Sequence, residues 1–268
     1  MFLLVDLDGV VYRGAAPVPG VADLLRRCVG DGDVVVYVTN NSRSHRTEHM
    51  ERLREIGAPL TGECIVSAAW ATALTLSRAE APPRITMVLG SDGLRRELDD
   101  AGLRTVPLTA DGLAAAPDAV VVGAGLPLTE ERLAIASDAV RGGATFVATN
   151  RDAMRPDENG STAAAGAMVT ALSVASGREP NLVIGKPNPL LFEEAARLAG
   201  RDLADAVVIG DDITSDIGAA NAVGARSVLM LTGISGRADI DSSPEAASPT
   251  AVAEDAQGLA HILADLAA

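Results

Sequence analysis

The chain has 268 residues, of which 48% are hydrophobic, 22% are charged and 2% are aromatic. This length is enough for one or two domains that bury a core without disulfide or metal staples, and the composition argues against a largely disordered protein. The net charge is −14, and no run of Lys and Arg forms a basic patch, so neither nucleic acid nor a membrane surface is expected as a partner.

Short apolar runs alternate with helix-like segments along the chain. In chain order they predict strands at 2–7, 34–39, 85–90, 119–123, 145–149, 182–184, 206–210 and 227–231. Helices are predicted at 22–29, 46–56, 67–77, 130–141, 166–176, 189–198 and 256–266, with a loop at 241–249. Most of the strands are continuous and β-branched, which is typical of strands buried on both faces. Repeated βα units therefore predict an α/β fold with a parallel sheet.

Cys28 and Cys64 lie far apart and form no CxxC pair, so neither a zinc finger nor a disulfide scaffold is predicted. We expect both thiols to be buried in a reducing compartment. The chain enters a predicted strand at once, and nowhere do 18 apolar residues follow one another, so neither a signal peptide nor a membrane span is expected. A cytoplasmic location is predicted, and the sequence leaves a homodimer open.

Two aspartates follow the first apolar run, in Val5-Asp6-Leu7-Asp8-Gly9. Residues two apart in a strand share a face, so both carboxylates should converge at the carboxyl end of the strand, where open α/β sheets bind ligands. Carboxylates this close repel each other, and a divalent cation would relieve the repulsion. A solvated Asp-Gly turn is the alternative.

The second apolar run ends in Val38-Thr39-Asn40-Asn41-Ser42. Its hydroxyl and amide groups can donate hydrogen bonds to an anion, and the N-terminus of the helix that follows attracts phosphate. Ser42 or Ser44 is expected to cap that helix. An ordinary connection between a strand and a helix is the alternative.

Lys186 is the only lysine among 22 basic residues, and it follows a predicted strand in Gly185-Lys186-Pro187-Asn188-Pro189. Lysine is a compact point charge and arginine a planar fork, which suggests that the position needs an ammonium group. A single ammonium at the sheet edge would offset clustered carboxylates and bind a phosphoryl oxygen. The two prolines would stiffen its loop.

Further carboxylates follow the strand at 206–210, in Gly210-Asp211-Asp212-Ile213-Thr214-Ser215-Asp216. Hard oxygen ligands at a sheet edge suit Mg²⁺. For Asp216, capping of the next helix is the alternative. Together the four segments place carboxylates, small hydroxyls and one ammonium at the ends of successive strands, in an order that one parallel sheet could assemble.

The segments DLDGV, VTNNS, GKPNP and GDDITSD resemble, in order, the four motifs of the haloacid-dehalogenase-like (HAD) phosphohydrolases. Gly14, the ATNRD segment at 148–152 with Pro156, and the LTG segment at 231–233 are similar to the branch that includes NagD and the 4-nitrophenylphosphatases. The resemblance covers essentially the whole chain. It implies a Rossmann-like parallel-sheet core in two parts, 1–79 and 182–268, with an inserted α/β class II cap domain at 80–181.

The resemblance also implies roles in catalysis. Asp6 would be the nucleophile that forms an aspartyl-phosphate. Asp8 would be the acid that protonates the leaving group and then the base that activates water, and Lys186 would neutralise the phosphoryl group. The implied substrate-binding residues are Thr39, Asn40 and Asn41 around the phosphoryl group and Asn150, Arg151, Asp152 and the loop at 155–160 around the leaving group. For Asp152, capping or bracing of that loop is the alternative.

Mg²⁺ is the implied cofactor, held by the Asp6 carboxylate, the Asp8 carbonyl and Asp211. Asp212 or Asp216 would support metal-bound water or Lys186. The sequence departs from the family pattern in the expected cap, at Gly123-Ala124-Gly125 and at 161–166, where an acidic residue and a Pro-Gly-rich turn are usual. These departures lie outside the four motifs and leave the predicted reaction unchanged. Because they lie in the expected cap, the substrate of any one relative cannot be assigned to this chain.

The expected function is hydrolysis of a small-molecule phosphate ester: a sugar phosphate, a polyol phosphate such as glycerol phosphate, or a nucleoside monophosphate. The cap would exclude bulky substrates by roofing the site. A phosphomutase, which retains the phosphoryl group, is one alternative. A phosphoryl-accepting signalling module is another, although such modules are about half this length and need no cap.

Overall fold

The computed structural model describes residues 1–157, 160–242 and 248–267. The strands are β1 (Phe2–Val5), β2 (Tyr12–Arg13), β3 (Ala16–Pro17), β4 (Val34–Thr39), β5 (Ile65–Ser67), β6 (Thr86–Leu89), β7 (Thr105–Val106), β8 (Ala119–Val122), β9 (Thr145–Ala148), β10 (Met154–Asp157), β11 (Gly160–Ala163), β12 (Leu182–Val183), β13 (Ala206–Gly210), β14 (Arg226–Met230) and β15 (Ala251–Ala253). The helices are α1 (Val21–Gly30), α2 (Arg46–Glu55), α3 (Ala68–Ser77), α4 (Asp92–Asp100), α5 (Ala110–Ala114), α6 (Glu130–Arg141), α7 (Ala165–Ser176), α8 (Leu190–Ala199), α9 (Gly218–Ala222), α10 (Arg237–Ser242) and α11 (Ala256–Ala267). A 3-10 turn covers Leu203–Asp205, and a π-helical turn covers Ile213–Ile217.

Two parallel sheets organise the molecule. The larger has six strands in the order β15-β14-β13-β1-β4-β5, and the smaller has five in the order β12-β9-β8-β6-β7. The pairs β2–β3 and β10–β11 form two short antiparallel hairpins. The predicted α/β class with a parallel sheet is therefore confirmed.

Alternation along the central strands explains how helices cover both faces of the sheets. In β1, Leu3 and Val5 join an apolar cluster with α1 and α11, whereas Phe2 and Leu4 join a second cluster with α3 and α8. The second cluster continues to one face of the smaller sheet through residues such as Val121. Because fully burying one such side chain stabilises a fold by roughly 1.5–3 kcal/mol, this shared cluster holds the two sheets together.

Several sequence-based boundaries need correction. β1 ends at Val5 rather than at residue 7, and Asp6 lies just beyond it. Residues 182 and 183, expected to begin the second core segment, form β12, which pairs with β9 in the smaller sheet. α10 covers the first two residues of the loop predicted at 241–249, and residues 243–247 lie outside the described part of the chain.

The cap of α2 was also predicted wrongly. His45, rather than Ser42 or Ser44, caps this helix, since its Nδ1 accepts from the Thr47 amide. Both cysteines are buried and free, as expected. Of the helices described, none combines the length and the apolar character needed to cross a membrane.

Candidate active site

The carboxyl ends of three neighbouring strands of the larger sheet supply the polar groups of one cavity. Asp6 follows β1, Thr39 ends β4 and Asp211 follows β13, and β1 lies between the other two strands. Segments that follow β9 and β12 of the smaller sheet close the cavity from the other side. It measures about 250 Å³ and is lined by Asp6, Asp8, Thr39, Asn40, Asn41, Ser42, Arg43, Ala124, Asn150, Asp152, Ala153, Met154, Ala164, Ala165, Lys186, Asp211, Asp212, Ser215, Asp216 and Ile234.

The ammonium of Lys186 lies at the centre of this site. It is 2% exposed and donates to Asp6 Oδ1 at 2.6 Å, to Asp216 Oδ1 at 2.5 Å and to the Val38 carbonyl at 3.1 Å. These three bonds use all three donors of an ammonium group. Burial by itself lowers the pKa of Lys186, but the charges of Asp216 and Asp6 outweigh that effect and raise it. Lys186 is therefore a fixed positive charge.

Three buried carboxylates surround this single ammonium. Oxygens of Asp6, Asp211 and Asp216 lie within 4.8 Å of one another. Burial raises the pKa of Asp6 well above its ordinary value against the opposing charge of Lys186, and burial followed by the charge of Asp216 raises the pKa of Asp211 to about 8. If all three carboxylates were ionised, their charge would exceed what Lys186 can offset, and a divalent cation bound by oxygen ligands would balance it.

Close backbone packing fixes the Asp211 carboxylate. Its Oδ2 accepts from the Ile234 amide at 2.8 Å. A Cβ atom at Gly9 would lie 2.1 Å from that oxygen, and one at Gly233 would lie 1.8 Å from it. Gly9 also has φ +83°, a conformation that favours glycine. Both glycines are needed for the backbone to approach this carboxylate.

Asp212 and Asp216 have different structural roles. Asp212 caps the π-helical turn, since its Oδ1 accepts from the amides of Thr214 and Ser215. Asp216 is 1% exposed, and its Oδ2 accepts from the amides of Asp211 and Asp212 while its Oδ1 bonds Lys186. The sequence predicts that Asp212 or Asp216 supports metal-bound water or Lys186. Of these two residues, Asp216 is the one that contacts Lys186.

Asp8 lies in a tight turn that continues from β1. The Gly9 amide donates to the Tyr12 carbonyl at 2.7 Å, and an isolated bridge joins Asp8 to Tyr12. Thr232 Oγ1 donates to the Gly9 carbonyl at 2.6 Å, and the Arg52 guanidinium lies 3.5 Å from the centre of the Tyr12 ring. These contacts place Asp8 at the cavity together with Asp6, although Asp6 lies just beyond β1 and not within the strand as predicted.

The side chains that follow β4 divide between the cavity and the smaller sheet. Thr39 Oγ1 accepts from the Asn41 amide at 3.0 Å. No described residue accepts the hydrogen of this hydroxyl, so it is available to a ligand in the cavity. Asn41 Oδ1 accepts from the Arg43 amide at 2.8 Å. Ser42 Oγ accepts from Thr149 Oγ1, at the end of β9, at 2.9 Å. The segment is thus both a wall of the cavity and a joint between the sheets.

The side chain of Asn40 is engaged within the protein. Its Oδ1 accepts from the Lys186 amide at 2.8 Å, and its Nδ2 donates to the Lys186 carbonyl and to Asp152 Oδ2, both at 3.0 Å. Asn150 Nδ2 donates to the Asn40 carbonyl at 2.7 Å. Burial raises the pKa of Asp152, and the bond from Asn40 opposes that rise.

Arg151 does not join the other predicted substrate-binding residues. Asn150 and Asp152 line the cavity, but Arg151 is exposed and its guanidinium pairs with Glu179 at 2.9 Å. Residues 158 and 159 of the predicted 155–160 loop lie outside the described part of the chain. Sequence reasoning missed Arg43, Met154 and Ile234 as cavity residues. For Arg43, its position directly after the VTNNS segment was an available signal.

The sequence of this chain is similar to those of known hydrolases. A model of the haloacid dehalogenase-like hydrolase family matches residues 3–104, and a HAD-hydrolase-like model matches residues 183–259. D-glycerol 3-phosphate phosphatase from Mycobacterium tuberculosis is 36% identical over 96% of this chain and 70% of that protein. The chain belongs to the haloacid dehalogenase-like hydrolases. The predicted family is confirmed.

Solved structures of this hydrolase family share the whole fold. A p-nitrophenyl phosphatase from Archaeoglobus fulgidus superimposes with a TM-score of 0.87 at 32% identity, covering 97% of this chain and 98% of that one. Glycerol phosphate phosphatase from Mycobacterium tuberculosis, in complex with magnesium, gives a TM-score of 0.85 at 36% identity over 96% of this chain and 75% of that one. The hydrolase therefore has the architecture of phosphatases of this family in both of its sheets.

Proposed function

We propose that this hydrolase is a Mg²⁺-dependent phosphomonoesterase that acts on small-metabolite phosphates through an aspartyl-phosphate on Asp6. The observation that carries the proposal is the buried Asp6–Lys186 pair at 2.6 Å, set among two further carboxylates in a small cavity. A carboxylate next to a fixed ammonium is a nucleophile that can approach an anionic phosphoryl group. The relatives named as phosphatases support the same class of reaction.

The proposed reaction has two steps. An Asp6 carboxylate oxygen attacks phosphorus, the bond from phosphorus to the ester oxygen breaks, and Asp8 gives its proton to the leaving oxygen. Asp8 then takes a proton from water as the water oxygen attacks phosphorus, and the bond from phosphorus to Asp6 breaks to release phosphate. General acid and base catalysis of this kind contributes roughly 10²–10⁴-fold to the rate.

Fixed groups stabilise the phosphoryl group in both steps. The three N–H groups of Lys186 are already bonded, so its ammonium acts through its charge, which offsets charge on the phosphoryl oxygens. The Thr39 hydroxyl and the Asn41 side-chain amide donate hydrogen bonds to the group. Donors that are already oriented stabilise developing charge without reorganisation during the reaction. With a net charge of −14 on the chain, this stabilisation must be local.

Asp6, Asp211 and the Asp8 carbonyl would hold Mg²⁺. Asp216 is already bonded to Lys186 and to two backbone amides, so it supports the site from outside this ligand set. When bound, the ion offsets negative charge on the carboxylates and on the phosphoryl oxygens. The magnesium complex of the mycobacterial glycerol phosphate phosphatase supports this choice of metal.

The smaller sheet and its helices form the cap in this proposal. Because β12 belongs to the smaller sheet, we assign residues 80–184 to the cap and residues 1–79 and 185–268 to the core. A cavity of about 250 Å³ is slightly smaller than the usual range of about 300–1,000 Å³ for small-molecule sites, which favours sugar, polyol or nucleoside monophosphates over larger substrates. The free cysteines suit a reducing compartment, and a cytoplasmic location belongs to the same proposal.

Release of inorganic phosphate tests the function directly. Purified enzyme with Mg²⁺ is offered 4-nitrophenyl phosphate, glycerol 3-phosphate, a hexose phosphate and a nucleoside monophosphate, with a chelator-treated sample as control. We expect release from at least one metabolite ester, abolished by the chelator and restored by Mg²⁺. Failure on every ester would refute the proposal, stable phosphorylation of Asp6 without turnover would indicate a signalling module, and transfer within the substrate would indicate a mutase.

A further inference from the structure

The amide of Asn40 clamps the backbone of Lys186. It accepts from the Lys186 amide and donates to the Lys186 carbonyl, at 2.8 and 3.0 Å, and its second Nδ2 hydrogen goes to Asp152. An amide NH₂ group has two hydrogens, and both are used here. The side chain therefore has no donor left for a phosphoryl group, which contradicts the expectation that Asn40 holds the substrate through this side chain.

The acceptor at the far end of this clamp belongs to the cap. Asp152 is positioned by its own amide, which donates to Asn150 Oδ1 at 3.1 Å. An ionised carboxylate can only accept hydrogen bonds, so Asp152 requires the Nδ2 end of Asn40 to face the cap. That orientation leaves Oδ1 to meet the Lys186 amide.

The packing around Lys186 leaves the clamp little freedom. The Gly185 amide donates to the Thr149 carbonyl at 2.8 Å. A Cβ atom at Gly185 would lie 2.5 Å from Asn40 Oδ1 and 2.7 Å from the Cβ atom of Asn150. The loop that carries the ammonium is thus enclosed by the end of β4 on one side and the end of β9 on the other.

We propose that Asn40 and Asp152 are positioning residues for Lys186. Asp152 orients the Asn40 amide, and Asn40 holds the Lys186 backbone where the ammonium reaches Asp6. Seating of the cap and placement of the active-site ammonium are coupled by this relay. The inference rests on the proposed function, in which Lys186 neutralises the phosphoryl group, and it assigns Asp152 to the chemistry common to all substrates rather than to selection among them.

Substitutions along the relay should lower kcat on every ester by the same factor. We expect Asn40→Ala to lower kcat about 100-fold and Asp152→Ala about tenfold, because small displacements of a catalytic group cost up to about that much. Asp152→Asn keeps an acceptor oxygen and should recover most of the activity. Glu179→Gln makes the same carboxylate-to-amide change in a surface ion pair of the cap and should match wild type.

Coupling between the two positions distinguishes a relay from two separate structural effects. The rates of 4-nitrophenyl phosphate and glycerol 3-phosphate hydrolysis are measured for the single variants and for Asn40→Ala/Asp152→Ala. We expect the double variant to lie within about threefold of Asn40→Ala alone, since residues in one network are not additive. Losses that multiply, or a changed ratio between the two esters, would overturn the relay. If the Ala variants fail to fold, Asp152→Asn and Asn40→Asp are compared singly and together. The relay then predicts that the double variant loses no more activity than Asn40→Asp alone, and losses that multiply would again overturn it.

Binding of inorganic phosphate separates the relay from the reaction. Calorimetric titration with phosphate, in the presence of Mg²⁺, should show weaker binding to Asn40→Ala and Asp152→Ala than to wild type and to Glu179→Gln. If wild type binds phosphate through this relay but hydrolyses no ester, the proposed function fails alone. If wild type hydrolyses esters while the relay variants keep their kcat and phosphate affinity, the relay fails alone.

Discussion

The two sheets are built alike, yet their carboxyl edges carry different chemistry. β4 and β9 are both largely buried, and the same Thr-Asn pair stands at the carboxyl end of each. β4 ends in Thr39 and is followed by Asn40, and β9 is followed by Thr149 and Asn150. The larger sheet adds carboxylates after β1 and β13, whereas Gly90 and Gly123 follow β6 and β8 of the smaller sheet. The same scaffold therefore carries a cluster of carboxylates at the edge of one sheet and none directly after the corresponding strands of the other, so the chemistry of a site cannot be read from the fold alone.

The two threonines show the contrast at the level of single atoms. Both are buried, at 2% and 0% exposure. Thr39 accepts from a backbone amide and keeps its hydrogen for the cavity, whereas Thr149 donates to Ser42 and joins the sheets. The two corresponding threonines thus differ in their contacts, since one leaves a hydroxyl hydrogen to the cavity and the other joins the sheets.

The largest effect should come from the carboxylate edge of the larger sheet. Asp6→Asn is nearly isosteric but replaces the nucleophile with an amide, and we expect phosphate release to fall at least about a thousandfold while the fold is retained. Steady-state assays with circular dichroism as the control for folding check this. Activity within tenfold of wild type would remove Asp6 from the nucleophile role and, with it, the contrast between the edges.

A matched pair of substitutions sharpens the comparison between the two strand ends. Thr39→Val should lower kcat by about 100-fold, the cost of one oriented donor to the phosphoryl group. Thr149→Val should leave kcat within about threefold of wild type and lower the free energy of unfolding by about 1 kcal/mol, because it removes one buried hydrogen bond. Kinetics and denaturant unfolding of both variants measure the two quantities, and equal kinetic losses would show that the edges do not differ as proposed.

The smallest effect concerns pH and the metal. In the metal-free protein, burial raises the pKa of Asp211 to about 8. Between about pH 4 and pH 8 the folded state therefore holds a proton on Asp211 that the unfolded state has lost. Because the folded state binds more protons in this range, the free energy of unfolding falls as the pH rises from about 4 to 8. Mg²⁺ replaces this proton, so it should raise the unfolding temperature more at pH 8 than at pH 6, by about 2–4 °C. Calorimetry with and without Mg²⁺ tests this, and a rise independent of pH, or one unaltered in Asp211→Asn, would contradict it.

The long elements could be predicted from the sequence because their patterns are physical consequences of burial. Runs such as Val34–Thr39 and Ala119–Val122 are continuous and apolar because helices cover both faces of each sheet. The two-residue strands β2 and β7 are too short to show a period. The missed helix α4 is rich in charged residues, and only two large apolar side chains, Leu94 and Leu98, mark its buried face in the sequence.

Site residues could be predicted as types and positions along the chain, but not as contacts. The order of the four segments predicts Asp6, Lys186 and Asp211 at strand ends of one parallel sheet. Asp6 and Asp211 directly follow β1 and β13 of the larger sheet, whereas Lys186 lies three residues beyond β12, which belongs to the smaller sheet. Adjacency in sequence could not tell that Asp152 faces the cavity while Arg151 pairs with Glu179 on the surface. The use of both Asn40 hydrogens depends on a partner 112 residues away, so no local pattern contains it.

The single lysine of this chain makes its reaction centre spectroscopically distinct. Since Lys186 is the only lysine in 268 residues, isotope labelling of lysine alone would yield one side-chain amine signal, with no assignment problem. Its three hydrogen bonds and burial protect the ammonium protons from exchange with solvent. Nuclear magnetic resonance could therefore follow charge and geometry at this one nitrogen while phosphate, metal or an altered cap residue is introduced.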